Sequence, residues 1–274
     1  MSRRLLLQAT EPEGSPAAMP RAMLVFAHPD DEVVGLGARL GRFRSGCFVH
    51  VTDGAPKNGR DSRAHGFATV DDYRRARETE LGRALAMAGL QSVRRERLGI
   101  PDQEASLQLV WLVGRIEGLM VECMPGVVFT HPYEGGHPDH DACAFVVHKA
   151  AGLLNARGAP APVILEAAFY HAGPRGGEAG TFLPSSAETE HADYHLSGEE
   201  QRRKQALLDC FVSQRETLSR LPLEYERFRV APQYDFQQPP HEGGALYDRY
   251  PWGMTSERFR SLAAAADEEL AQWQ

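Results

Sequence analysis

Ala27-His28-Pro29-Asp30-Asp31-Glu32 places an imidazole and three carboxylates within five consecutive residues from His28 to Glu32. The apolar run that leads into it, Ala22-Met23-Leu24-Val25-Phe26-Ala27, is short, lies between Pro20 and Pro29, and reads as a buried strand. The run that follows, Val33 to Leu40, reads as the opening of a helix. A strand that ends where a helix begins leaves a crevice at its carboxyl end, and that is where open α/β sheets take ligands. Acids crowded into such a crevice repel one another and cost stability unless a cation holds them. The stretch therefore predicts a metal site, with His28, Asp30 and Asp31 in ligating or catalytic roles.

The other half of such a site should close a second strand. Gly126-Val127-Val128-Phe129-Thr130 is a strand candidate that runs into His131-Pro132-Tyr133-Glu134-Gly135-Gly136-His137-Pro138-Asp139-His140. His137 and His140 are three apart, and Pro138 suits the first position of a helix, so both rings share one helical face. Two imidazoles and one carboxylate make the set a catalytic zinc uses, with a position left for water. His131 reads first as a plain strand exit, with a third imidazole at the site as the alternative. The remaining histidines, from His50 to His241, read as structural.

Further strands are expected at Cys47–Thr52, Arg94–Leu98 and Val163–Tyr170, and helices at Asp71–Ala88, Glu104–Cys123 and Pro138–Asn155. Strand and helix alternating in this way predict an α/β fold with right-handed crossovers and a mostly parallel sheet. Asp53-Gly54 should turn at the same sheet edge as His28, and the polar stretch 57–70 is a loop long enough to cover a site. Beyond 170 the pattern changes. A glycine-rich loop at 173–190 holds a strand candidate at Thr181-Phe182-Leu183. Ser197, with Glu199 and Glu200 behind it, caps a helix to about Ser219. The stretch after Pro222 reads as loop until a last helix at Ser256–Gln274. Residues 1–20 read as a tail that orders only if it docks.

The chain has 274 residues, 42% hydrophobic and 24% charged, which points to one large domain with ample core. A net charge of −7 excludes the basic stripe that nucleic acid or an anionic membrane surface would need, so the partner reads as small and uncharged. No apolar run reaches the ~18 residues of a membrane span, and the block Leu5-Leu6-Leu7 is too short for a signal peptide. Four cysteines without a C-x-x-C pair read as reduced thiols in a cytoplasmic protein. A homo-oligomer is left open.

Gly35-x-Gly37-x-x-x-Gly41, with Asp53 after the next strand, imitates a dinucleotide fingerprint. The glycines come too late, however. His28 to Glu32 occupy the turn that should hold the pyrophosphate, and acids there repel phosphate. Close packing of helix on sheet explains the small residues better.

Taken together, Ala27-His28-Pro29-Asp30-Asp31-Glu32 and His137-Pro138-Asp139-His140 resemble the LmbE-like, PIG-L family of metal-dependent N-acetylglucosaminyl deacetylases. Val51-Thr52-Asp53-Gly54, Arg77-x-x-Glu80-Leu81, Leu98-Gly99-Ile100-Pro101-Asp102 and the late Leu196-Ser197-x-Glu199-Glu200 agree with it. The resemblance implies a Rossmann-like three-layer α/β fold, with the family domain at 21–220 and a C-terminal extension at 221–274 packed on it. It implies Zn2+, or Fe2+, held by His28, Asp31 and His140, and removal of an acetyl group from an amino sugar. It makes Asp30 the general base and His137 the group that assists the oxyanion or leaving nitrogen. It associates Arg77 with sugar hydroxyls and Asp102 with the substrate or with orienting the site.

Two departures stand out. Ala55 follows the Thr-x-Gly turn where some relatives have glutamate, and Gly135 stands where some have a tyrosine. Nearby aromatics, Tyr133 first among them with Tyr234, Phe236, Tyr247 and Trp252, suit stacking on sugar faces and suit packing equally. The alternatives to an amino-sugar deacetylase are a metal- and sugar-binding module without catalysis and a hydrolase of another amide bond.

Overall fold

The computed structural model describes residues 2–174, 176–184 and 189–273. In chain order its elements are α1 (Ser2–Ala9), β1 (Ala22–Phe26), α2 (Asp31–Leu36), β2 (Cys47–Thr52), α3 (Arg60–Ala64), α4 (Val70–Met87), β3 (Arg94–Ile100), α5 (Leu109–Cys123) and β4 (Val127–Thr130). They continue with α6 (Pro138–Ala156), β5 (Val163–Ala167), β6 (Tyr170–Gly173), β7 (Gly176–Ala179), β8 (His191–His195), α7 (Gly198–Leu208), α8 (Arg215–Leu218), β9 (Tyr225–Val230) and α9 (Ser256–Leu270).

The central sheet has the order β3-β2-β1-β4-β5-β9-β8, with β6 and β7 pairing apart from it. From β3 to β5 every pairing is parallel, while β9 runs antiparallel to both β5 and β8. The α/β fold with a mostly parallel sheet is thus the one expected.

Strand side chains alternate between two cores, as a sheet covered on both faces requires. Met23 and Val25 of β1, Val49 and Val51 of β2 and Val128 of β4 enter the core beneath α5, α6 and α9. Leu24, Phe26, Phe48, Val127 and Phe129 enter the opposite core, with α1, α2, α4 and α7. Because β1 is flanked by β2 on one side and β4 on the other, the chain leaves β1 and β4 in opposite directions. The crevice between their carboxyl ends is the switch point where such sheets bind ligands. Gly35 and Gly37 allow the close packing that a dinucleotide reading would have missed: a Cβ on them would lie 3.0 Å from Ala167 Cβ and 2.8 Å from Lys204 Cγ.

Several boundaries differ from the sequence reading. Residues 2–9 are a docked helix, with Leu6 and Ala9 buried and Arg39 Nε donating to the Thr10 carbonyl at 2.6 Å. The stretch 57–70 contains α3, and the helix begun at Ser197 closes at Leu208. The strand expected at 163–170 breaks after Ala167, and Thr181–Leu183 is not a strand. Strand order is completed by β9, from a stretch that reads as loop. Glu226, Arg227 and Arg229 hide its hydrophobic alternation, yet Glu226 is buried against Arg39 and Lys204, and Arg229 against Glu134 and Glu166. The expected C-terminal extension therefore contributes a strand inside the main sheet.

Candidate active site

The acids after β1 do not share one environment. Glu32 turns under α2, where its Oε2 meets His50 Nε2 at 3.0 Å in a buried pair, so His50 is structural as read. Asp31 faces the crevice: its Oδ2 accepts the His28 backbone N–H at 2.7 Å and lies 3.3 Å from His28 Nδ1, while Oδ1 lies 3.5 Å from His140 Nε2. Burial works against the Asp31 charge, yet His140 and His131 draw its pKa well below the carboxylate range. Asp30 sits at φ 154°, a conformation that costs a non-glycine residue about 1–3 kcal/mol and is concentrated at functional sites. Burial raises its carboxyl to about 7 against the pull of Arg77.

From β4 the chain delivers a cluster of imidazoles. His137 is the N-cap of α6: its Nδ1 accepts the Asp139 N–H at 3.1 Å, and Pro138 follows at the first helical position as expected. An imidazole that accepts at Nδ1 carries its proton on Nε2, and burial beside His28 holds His137 neutral, well below the usual range. This leaves the His137 Nε2–H facing Asp102 across the crevice, at 3.6 Å from Oδ1. His131 is fully buried and stacks on His140, ring centroids 3.7 Å apart and 12° from parallel. Its Nε2 accepts the Ala27 N–H at 3.0 Å, which occupies the lone pair a metal would need. His140 is left with a buried Nε2 that has no hydrogen-bond partner among the described residues.

Among the described residues three convergent groups result, each with its ligand atoms within 4.8 Å of one another: His28-His137-His140, Asp31-His131-His140 and His28-Asp102-His137-Asp139. The expected set, His28, Asp31 and His140, links the first two groups, with Asp31 Oδ1 facing His140 and Oδ2 facing His28 and His131, each at 3.3 Å. Nitrogen and carboxylate oxygen donors, a neutral imidazole whose pKa burial lowers, and the orphaned His140 Nε2 fit a divalent zinc-type ion.

Asp102 Oδ1 lies 3.2 Å from His28 Nε2 and 3.6 Å from His137 Nε2, bridging the two motifs electrostatically. Arg77 is buried, with Nη2 donating to the Pro29 carbonyl at 3.1 Å and to Asp30 Oδ2 at 3.2 Å. Tyr133 is drawn away from the crevice: it is buried among Phe236 and Phe259, and its hydroxyl donates to the Gln238 carbonyl at 2.8 Å. That bond uses the polar end a substrate contact would have offered.

Residues without a specific role in the sequence reading also join the site. Asp139, fully buried, accepts Gln103 N–H at 2.6 Å and Ala105 N–H at 3.0 Å, which fixes the loop carrying Asp102. The Tyr170 ring lies 5.1 Å from His140, and the Trp252 ring 4.8 Å from His137. Gly135 has a physical reason. Its φ is +69°, and a Cβ there would lie 2.9 Å from Ala245 Cβ, so the C-terminal segment occupies the room a larger residue would take.

Residues 23–151 match the family model of PIG-L, GlcNAc-PI de-N-acetylase. No curated protein matches the chain. Among solved structures, the A40926 pseudoaglycone deacetylase Dbv21 is similar at a TM-score of 0.59 and 19% identity, covering 79% of this chain and 98% of its own. A zinc-inhibited form of teicoplanin deacetylase Orf2 is similar at 0.56 and 17%, covering 76% and 97%. N,N'-diacetylchitobiose deacetylase from Pyrococcus horikoshii is similar at 0.53 and 16%, covering 79% and 81%. These likenesses establish the shared scaffold. Both motifs of the crevice lie inside the matched residues, so segment 23–151 carries the PIG-L, LmbE-like family match.

Proposed function

We propose that the protein is a metal-dependent hydrolase that removes an N-acetyl group from an amino sugar or its conjugate. The observation that carries the proposal is Asp31 held between His28 and His140, 3.3 and 3.5 Å from their ring nitrogens, next to a strained Asp30. A divalent ion, Zn2+ or Fe2+, held by His28, Asp31 and His140 would supply a Lewis acid and lower the pKa of a water toward about 7.

The remaining work falls to the chain. Asp30, fixed from below by Arg77, takes the proton of the attacking water as general base. His137 directs its Nε2 proton at the oxygen that gains charge when the acetyl carbon is attacked. One such donor is worth about 3 kcal/mol. Asp102, with Oδ1 3.2 Å from His28 Nε2 and 3.6 Å from His137 Nε2, orients both imidazoles that it faces. Return of the proton to the nitrogen breaks the C–N bond and releases acetate and a free amine. The family match and the resemblance of the scaffold to amino-sugar and antibiotic deacetylases support this substrate class. No helix among the described residues is long and apolar enough to cross a membrane.

The test is release of free amine from N-acetylglucosamine conjugates by Zn2+-loaded protein, with metal content measured in parallel. Asp30→Asn should retain the ion and lose at least about 10²-fold in kcat, the scale of general base catalysis; His140→Ala should lose both ion and turnover. Full activity in Asp30→Asn removes the base assignment, and activity in metal-stripped protein removes the proposal.

A further inference from the structure

The segment that reaches the site from beyond the family match is braced at both ends. Tyr247, fully buried, donates its hydroxyl to Asp141 Oδ2 at 3.0 Å, one residue beyond His140. Leu246 N–H donates to the Gly135 carbonyl at 2.7 Å. Asp248 closes the loop by accepting both the N–H and the hydroxyl of Ser256 at 2.6 Å. Within it, Trp252 N–H turns back to the Tyr250 carbonyl at 2.9 Å, and the rings on either side of Pro251 stack at 4.7 Å and 13°.

The inner ring of this pair, the Trp252 indole, packs on the His137 imidazole at 4.8 Å. The outer ring, Tyr250, leaves 46% of its surface in solvent. An aromatic ladder thus leads from His137, the group assigned to the developing oxyanion, out to the surface. Its outer end is an exposed phenol ring, on a loop whose hydrogen bonds hold it in place. Aromatic surface of that kind stacks on flat or apolar-faced rings.

We infer that Trp252 and Tyr250 are specificity-determining residues that form the wall along which the group attached to the acylated amino sugar lies. They select conjugates in which that group is a second ring. The inference rests on the deacetylase reading of the same site, and it adds what that reading leaves undefined: the part of the substrate beyond the reacting sugar.

Wild type, Tyr250→Ala, Tyr250→Trp and Trp252→Ala are compared on N-acetylglucosamine, N,N'-diacetylchitobiose and an aryl N-acetyl-β-glucosaminide. Amine release gives kcat and KM, and titration calorimetry gives affinity for the same three ligands. In Tyr250→Ala the ratio of kcat/KM for a ring-bearing ligand to that for the monosaccharide should fall roughly tenfold, carried by KM, and Tyr250→Trp should restore it. The disaccharide and aryl arms separate a sugar from an aromatic second ring. An unchanged ratio in both alanine variants overturns the inference. If wild type releases no amine yet binds ring-bearing ligands more tightly than the monosaccharide, the deacetylase reading fails and the wall stands. Equal affinity for all three ligands overturns the wall.

Discussion

The guanidinium of Arg77 is bonded to the carboxylate of Asp30, Nη2 to Oδ2 at 3.2 Å, and by the same nitrogen to the Pro29 carbonyl at 3.1 Å. One cation therefore holds both the charge and the strained backbone of the proposed base. Arg77→Met should leave the ion bound, because it touches no ligand, and lower kcat about 10²-fold through misplacement of Asp30. Removing one partner of a buried pair also destabilises by about 3–5 kcal/mol. Arg77→Lys keeps the charge and should fall between. Metal content with kcat measures the split; wild-type turnover in Arg77→Met would exclude the positioning role.

Gly136 sets how closely the loop after β4 can approach β6. A Cβ there would lie 2.0 Å from the Tyr170 carbonyl oxygen, and no rotamer change can relieve a backbone clash. Gly136→Ala should cost more than about 3 kcal/mol. Gly118, on the exposed face of α5, has nothing within 4 Å of its would-be Cβ, so Gly118→Ala should stabilise by about 0.5–1 kcal/mol. Thermal melts of the two variants should move in opposite directions, and a shared direction would contradict the packing argument.

What was legible in the sequence, and what was not, follows from where each residue's partners lie. The strands β1 and β4 announce themselves because both faces are buried, and acids after a core strand have no folding reason to be there. Arg77 and Tyr133 were legible as residues near the site but not in their orientation. One is turned beneath Asp30 and the other into the α9 core, by partners distant along the chain. The strand β9 was hidden for the same reason. Its Glu226 is neutralised by Arg39 and Lys204, nearly two hundred and about twenty residues away, so local hydropathy cannot distinguish it from a solvated loop. Trp252 was legible as an aromatic near the site, but its contact with His137, like the hold of Asp139 on the loop carrying Asp102, is set by the fold.

The N-terminal helix illustrates the same dependence on distant partners and makes a stability prediction. Arg39 is buried, and beside Glu226 it donates to the Thr10 carbonyl at 2.6 Å. Leu6 is fully buried in the core shared with α2 and α7. Leu6→Ala should cost about 2–5 kcal/mol as a core truncation. Thr10→Val, which removes the hydroxyl contact to Tyr194 but keeps the carbonyl, should cost about 1 kcal/mol. Denaturant melts that show no loss for Leu6→Ala would mean that α1 adds nothing to the folded state.

Two carboxylates share one guanidinium beside the histidine loop. Arg229 donates from Nε to Glu166 at 2.7 Å and from Nη2 to Glu134 at 3.0 Å, and Glu134 Oε2 has no partner among the described residues. Burial, outweighing Arg229, raises both carboxyls from 4.5 to about 7. A carboxyl whose folded pKa exceeds its unfolded one holds its proton more tightly when folded. Its contribution is therefore complete below pH 4.5 and is lost as pH rises through about 7. Glu134→Gln cannot ionise and still accepts from Leu183 N–H and Arg229 through its carbonyl oxygen. Its stability relative to wild type should rise between pH 5 and pH 8 by about 1–3 kcal/mol. Melting curves across that range test it: wild type and Glu134→Gln should diverge toward high pH, whereas parallel curves would mean that Glu134 is ionised in the folded protein throughout.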